Sequence, residues 1–185
     1  MRIIAGTERG RRIEAPEGRI TRPTLDRVRE NLFNMLQGQV TGARMLDLFS
    51  GSGALSLEAL SRGAAFAVLA DRDRRATQCQ RRNVESLRYA DRTRILSGDW
   101  RDIVRTLTAE GETFDLVFLD PPYEMTDLRP VLDALRGVIT GRTLVVLEHE
   151  ARRETLVPDD FVLQKERGWG FCAVRFYRLR EEETP

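Results

Sequence analysis

Histidine, lysine and cysteine are nearly missing from this chain of 185 residues, which has one histidine (His149), one lysine (Lys165) and two cysteines (Cys79 and Cys172). A single imidazole leaves little basis for a histidine triad and none for a multi-histidine metal site. The two thiols lie far apart without metal-ligand spacing, so neither a disulfide framework nor a zinc site is expected, and no metal is assigned. Long apolar runs are absent as well. Those that exist, such as residues 64–70, are strand-sized and far short of the roughly 20 residues that cross a bilayer. With no export signal to read, the expected location is the cytoplasm, with no membrane partner. The chemistry must then rest on carboxylates, backbone groups and aromatic rings.

The shortage of lysine makes almost every cation an arginine. A GC-rich genome would leave the same bias, and a net charge of +1 says nothing by itself about nucleic acid. The distribution says more: residues 1–30 hold eight arginines against five acids. Arginine is the better bidentate partner for phosphate, and the arginine-rich segment sits at this one end of the chain.

What is present is an ordinary globular balance, 41% hydrophobic and 32% charged, at a length that suits one domain with a short appendage. Residues 2–14 read as two short strands around a turn at residues 7–10. Thr24 reads as the N-cap of a helix carrying Leu25, Val28, Leu32 and Leu36 at helical spacing. From residue 44 onward, apolar runs alternate with amphipathic segments, the pattern of a parallel sheet covered on both faces. Residues 161–178 end the pattern as a hairpin around Gly168, Trp169 and Gly170. The fold class is therefore α/β: a Rossmann-like, mostly parallel seven-stranded sheet that ends in an antiparallel hairpin, preceded by a small N-terminal hairpin and helix. The expected divisions are an arginine-rich extension at residues 1–40, the main domain at 41–180, and a frayed acidic tail at 181–185.

In such sheets ligands bind at the carboxyl ends of the strands. The first strand ends in DLFSGSG, residues 47–53, where Gly51 and Gly53 allow close approach of a ligand; on its own the turn is equally a tight strand–helix connection. Asp71 ends the second strand, 20 positions beyond Gly51, where a carboxylate receives ribose hydroxyls. Asp99 and Trp100 follow the third strand and offer an acid for an adenine amine and a ring for its face, unless they are an N-cap and a core residue. Asp47, a carboxylate within an apolar strand, needs a partner, either amides of the glycine turn or a cationic ligand group. An acid-lined mouth of this kind repels a pyrophosphate and suits S-adenosylmethionine, with its sulfonium and ammonium.

The fourth strand ends in DPPY, Asp120, Pro121, Pro122 and Tyr123. An exocyclic amine on a nucleobase is a poor nucleophile because its lone pair is delocalised into the ring. A carboxylate and a fixed carbonyl, those of Asp120 and Pro121, accept its two N–H bonds and aim the lone pair at a methyl donor. Pro122 stiffens the corner, and Tyr123 supplies a stacking face for a base taken out of its helix.

These residues give the chain its resemblance. DPPY after an apolar strand resembles motif IV of amino-methyltransferases with the class I S-adenosylmethionine-dependent fold. More closely, RIIAGTERGRRI, RPTLDRVRENLFNML, ARMLDLFSGSGALSLEALSRGA, Asn83 and FDLVFLDPPY resemble the RsmD family of 16S ribosomal RNA guanine-N2 methyltransferases, over residues 2–177. The resemblance implies that Asp47, Phe49, Ser50, Gly51, Gly53, Asp71, Asp99 and Trp100 contact S-adenosylmethionine. It implies that Asp120, Pro121, Pro122 and Tyr123 hold the target guanine, and that Arg22, Thr24, Arg27 and Arg29 serve the RNA side. The implied partner is 16S ribosomal RNA, within a small subunit or an assembly intermediate. Two positions depart from the family pattern: Ser56 where glycine is frequent, and Asp71 where glutamate is usual. Arg27 and Arg29 also read as a solvated helix face beside Glu30, and Asn83 as a loop-fixing amide. The rival activities are adenine-N6 methylation of DNA and noncatalytic RNA binding in ribosome assembly. A monomer is expected, because no apolar stripe is left without a place in the sheet.

Overall fold

Largely apolar runs become the strands of the sheet, and the central ones are buried on both faces. In the computed structural model, which describes residues 1–16 and 23–180 (backbone alone for 23–25), five of them are parallel. These are β1 (Arg44–Asp47), β2 (Phe66–Asp71), β3 (Thr93–Ser97), β4 (Leu116–Leu119) and β5 (Leu144–Glu150). The hairpin β6 (Phe161–Trp169) and β7 (Cys172–Leu179) adds two antiparallel strands, giving the order β3-β2-β1-β4-β5-β7-β6. The order reverses between β1 and β4, which makes their carboxyl ends the natural ligand crevice.

Because side chains alternate across a strand, the sheet feeds two cores. Met45, Leu69, Phe118 and Val146 point into one, with Leu32 and Phe33 of α1 (Pro23–Met35), Leu36 just after it, and Leu57 and Leu60 of α2 (Ala54–Ser61). Leu46, Val68, Val117 and Leu147 point into the other, against Ile103, Val104 and Leu107 of α4 (Trp100–Ala109) and Leu132 and Leu135 of α5 (Arg129–Leu135). The remaining helix, α3 (Arg74–Ser86), starts at Asp73, whose carboxylate accepts from Arg75 N at 2.8 Å.

Three local expectations change. The two N-terminal strands reduce to one antiparallel bridge, Arg2 with Arg12, supported by Ile3 N to Arg11 O at 2.9 Å and Gly10 N to Ile3 O at 2.9 Å. Ladder formation stops because the amides of Ile4 and Ala5 turn to the Glu58 carboxylate of α2, at 2.8 and 3.0 Å. Thr24 is not a residue preceding its helix: α1 begins at Pro23, whose ring holds a helix-ready φ, and Thr24 lies in the first turn. In the hairpin, β6 runs on through Gly168 and Trp169, and the reversal falls at Gly170 and Phe171, with Gly170 at φ +67°. Arg22 and the tail 181–185 lie outside the described residues.

The arm and α1 are not a separate body. Ile3, Ile13, Phe33 and Leu36 share one core with β1 and β4, and the Phe33 and Phe118 rings meet at 6.1 Å between centroids.

Candidate active site

The turn after β1 is held from behind. Gly51 and Gly53 adopt φ of +53° and +79°, a left-handed geometry that costs glycine nothing. Gln80 of α3 donates to Ser50 Oγ at 2.9 Å and to Gly51 O at 2.8 Å, and Ser50 Oγ donates to Ala70 O at 3.0 Å. Asn83 donates to Ser52 O and Glu14 O, both at 3.1 Å, and accepts from Glu14 N at 2.7 Å. Its loop-fixing reading is the one observed: it ties the turn to the N-terminal arm.

In front of this turn opens a cavity of about 510 Å³, in the size range of small-ligand pockets. Phe49, Asp71, Asp99, Trp100 and the whole Asp120, Pro121, Pro122, Tyr123 corner line it. Asp71 receives Gly51 N on Oδ2 at 2.8 Å and Asp73 N on Oδ1 at 2.9 Å, which fixes the carboxylate at the rim while lone pairs remain on both oxygens. Asp99 both lines the cavity and caps α4, accepting from Arg101 N at 2.9 Å; that backbone bond, then the Arg101 guanidinium, holds its carboxyl below the usual range. Trp100 is likewise both core and wall, with Arg101 stacked 4.4 Å from its ring.

Five acids (Asp71, Asp73, Asp99, Asp120 and Glu148) and two arginines (Arg72 and Arg101) line the space. Its donor set fits a ligand with hydroxyls and net positive charge, as S-adenosylmethionine has, and disfavours a pyrophosphate. Ser50, Gly51 and Gly53 are not lining residues; they shape the wall from behind.

Asp47 does not line the cavity either. It is buried beneath the turn, where Ser56 Oγ donates to Oδ2 at 2.8 Å and Oδ1 has no partner. Ser56, the departure from the family pattern, is thus the partner that the strand acid requires. Burial pushes the Asp47 carboxyl up to about 7; the Ser56 hydrogen bond pulls down and the nearby Asp71 charge pushes up. An acid whose folded value is raised holds its proton more tightly in the folded state, so its contribution is complete below the ordinary value of 3.8 and is lost as pH rises toward about 7. Relative to Asp47→Asn, the wild-type protein should therefore lose stability across that window, by at most about 1.4 kcal/mol per pH unit. Paired denaturant titrations at several pH values check this, and parallel curves for the two proteins would refute it.

At the DPPY corner, Pro122 O accepts from Met125 N at 2.8 Å and closes the turn, while Arg153 donates to Tyr123 O. The Tyr123 ring is 43% exposed at the mouth. Burial, then the charges of Asp120 and Glu148, push its hydroxyl up to about 12, so it stays neutral.

On the expected RNA side, Arg27 is exposed on α1. Arg29 is a correction. Its side chain is 5% exposed and donates to Arg2 O and to Asp26 Oδ1 at 3.2 Å, with Glu58 Oε2 at 3.8 Å. It clamps the arm, because one helical face places Arg27 outward and turns Arg29 toward the core. For Thr24 the helical backbone position alone is described.

Four residues escape a reading of the sequence. Glu58 and Gln80 are wholly buried polar side chains on helices, and Glu148 and Arg101 border the cavity. Two had a signal. Glu58 is a lone acid in an otherwise apolar stretch of α2, and Glu148 interrupts an apolar strand just as Asp120 ends one.

A model of the family described as conserved hypothetical protein 95 matches residues 1–178. The Ribosomal RNA small subunit methyltransferase D of Escherichia coli K12 is 37% identical over 181 residues, covering 96% of this chain and 89% of that protein. Among solved structures, yhhF from Escherichia coli is 36% identical with a TM-score of 0.84, over 98% of this chain and 99% of that one. The Thermus thermophilus protein TTHA0928 is 30% identical with a TM-score of 0.80, over 97% and 99%.

Proposed function

The chain belongs to the family of conserved hypothetical protein 95, the RsmD family, and from that premise we propose that it transfers a methyl group from S-adenosylmethionine to the exocyclic N2 amine of a guanine in 16S ribosomal RNA, at a site of the guanine-966 type. The observation that carries the reading is a single cavity bordered on one side by Asp71 and Asp99 and on the other by the Asp120–Pro121–Pro122–Tyr123 corner.

Phe49, Asp71, Asp99 and Trp100 hold the cofactor from the β1, β2 and β3 ends, and Ser50, Gly51 and Gly53 give the turn its shape. When bound, S-adenosylmethionine would supply an electrophilic methyl on a sulfonium, a leaving group able to take the electron pair of the C–S bond. Asp120 and the Pro121 carbonyl accept the two N–H bonds of the amine and draw its nitrogen toward tetrahedral geometry, a matter of positioning and fixed charge. As the nitrogen gives its lone pair to carbon it becomes cationic, and its proton passes to the Asp120 carboxylate. Tyr123, neutral and exposed, stacks on the flipped base.

The substrate is presented by a small ribosomal subunit or an assembly intermediate, where folded RNA shape aids recognition. Arg22, Thr24 and Arg27 contact that RNA, and the protein works as a monomer in the cytoplasm.

The test is transfer of labelled methyl to unmethylated small subunits, naked 16S RNA and duplex DNA, followed by nucleoside analysis. Label in N2-methylguanosine is expected; label in N6-methyladenine, or cofactor binding without transfer, overturns the reading. In the same assay, Arg22 and Arg27 replaced together by alanine should weaken RNA binding and reduce the slope of log K against log salt by roughly 2, with cofactor affinity unchanged. RNA affinity equal to wild type at low salt would remove these arginines from the interface.

A further inference from the structure

Resting on the reading just given, we infer that Glu148 selects guanine, its carboxylate accepting the N1–H of the target base while Asp120 and Pro121 hold the N2 amine. Register brings the two acids together. Phe118 of β4 pairs with Val146 of β5, and both point into the same core. Glu148 stands two residues further along β5, on that same face, and Asp120 is the residue that follows the end of β4. Both line the cavity, and the charges of both act on the Tyr123 hydroxyl and on the Cys172 thiol.

Two neighbouring carboxylates in a largely enclosed place are costly unless donors are brought to them. To Glu148 the fold brings Cys172, whose Sγ donates to Oε1 at 3.2 Å. Burial and the charge of Glu148 push that thiol well up, so it remains a donor and reserves Oε1 as an acceptor. Burial also pushes the Glu148 carboxyl up, opposed by the thiol hydrogen bond, so further donors from a ligand favour its charged form. Oε2 is left for the cavity.

The bases differ in what they bring. Guanine presents N1–H beside a two-hydrogen amine, three donors in one plane. Adenine and cytosine present an amine beside a bare ring nitrogen, whose lone pair meets a carboxylate head-on. Uracil has a ring N–H but no amine. Two carboxylates lining one cavity beside the Pro121 carbonyl therefore match guanine alone among the four bases. DPPY by itself serves any exocyclic amine; the additional acid on β5 supplies the discrimination. A site built to pair a polar group rejects the analogue lacking it strongly, because its own buried groups are then left unpaired.

The experiment compares target RNA carrying guanine with the same RNA carrying 2-aminopurine, which keeps the amine but has a bare N1. Wild-type protein should strongly prefer guanine. Glu148→Gln, whose amide donates to a bare N1, should lose about 30-fold or more in kcat/KM on guanine and shift the ratio toward 2-aminopurine. Glu148→Asp, which keeps the charge on a shorter arm, should be slower yet retain the guanine preference; it also serves if the glutamine variant folds poorly. Cofactor affinity, measured by calorimetry, should stay within a few-fold of wild type in all folded proteins, because Asp71 and Asp99 remain. A merely structural Glu148 would lower both substrates alike. Wild-type methylation of guanine N2 with an unchanged base ratio in the glutamine variant, or a lost preference in the aspartate variant, overturns this inference alone. Failure of the wild type to label guanine N2 overturns the parent reading and this inference with it.

Discussion

Asp120→Ala should lower single-turnover methyl transfer by about 10³-fold, the scale seen when a fixed polar group aimed at a reacting centre is removed. The loss should appear in the chemical step and leave the cofactor dissociation constant within a few-fold of wild type. The geometry separates the two. Asp71, at the end of β2, is held by the amides of Gly51 in the turn after β1 and of Asp73, and Asp99, at the end of β3, by the amide of Arg101. Asp120, at the end of β4, follows Leu119 directly into a corner that two prolines and the Met125 N to Pro122 O bond keep rigid. Asp120→Asn should also be slow, because an amide keeps the shape but lacks the charge that stabilises the cationic nitrogen and accepts its proton. Methyl transfer at the wild-type rate in either variant would end the clamp mechanism.

The second large effect concerns stability. Glu58→Ala should destabilise the protein by about 3–5 kcal/mol, since removing one partner strands the other buried charges. Glu58 has no exposed surface and accepts from Ile4 N, Ala5 N and Arg62 Nε, the last at 2.7 Å, with Arg29 Nε at 3.8 Å. Arg62 is stacked 4.9 Å from the Phe33 ring, so the carboxylate joins α1, α2 and the arm at one point. The melting temperature should fall by roughly 10 °C in calorimetry. Glu58→Gln, which keeps an acceptor oxygen, should lose less. A melting temperature within a degree or two of wild type would show that the arm is anchored elsewhere. Because the arm and α1 carry the arginines proposed to meet RNA, the alanine variant should also bind substrate more weakly.

The sheet was legible because its signal is local. Central strands buried on both faces must be largely apolar, and helices that cover them must be amphipathic, so the alternation of β1 to β5 with the helices between them shows in order. The cavity rim was legible for a related reason: acids that end apolar strands, such as Asp71 and Asp120, are costly in place and mark the carboxyl edge. The reduction of the N-terminal strands to a single bridge was not legible, because Ile4 and Ala5 bond a side chain 53 to 54 residues away instead of a neighbouring strand. Nor was the burial of Arg29, because helical spacing shows which residues share a face but not which face is covered.

By itself, then, the sequence determined an α/β fold, the carboxyl ends that line the cavity, and the Asp120–Tyr123 corner at its rim, since each follows from short-range pattern and the cost of burying charge. Tertiary structure alone decided that Asp47 rests on Ser56 behind the turn, that Glu58 binds the arm, and that Glu148 stands beside Asp120. The first two are hydrogen bonds that form only when α2 packs beneath the turn and against the arm, and the third follows from the register of β4 and β5; local pattern shows none of them.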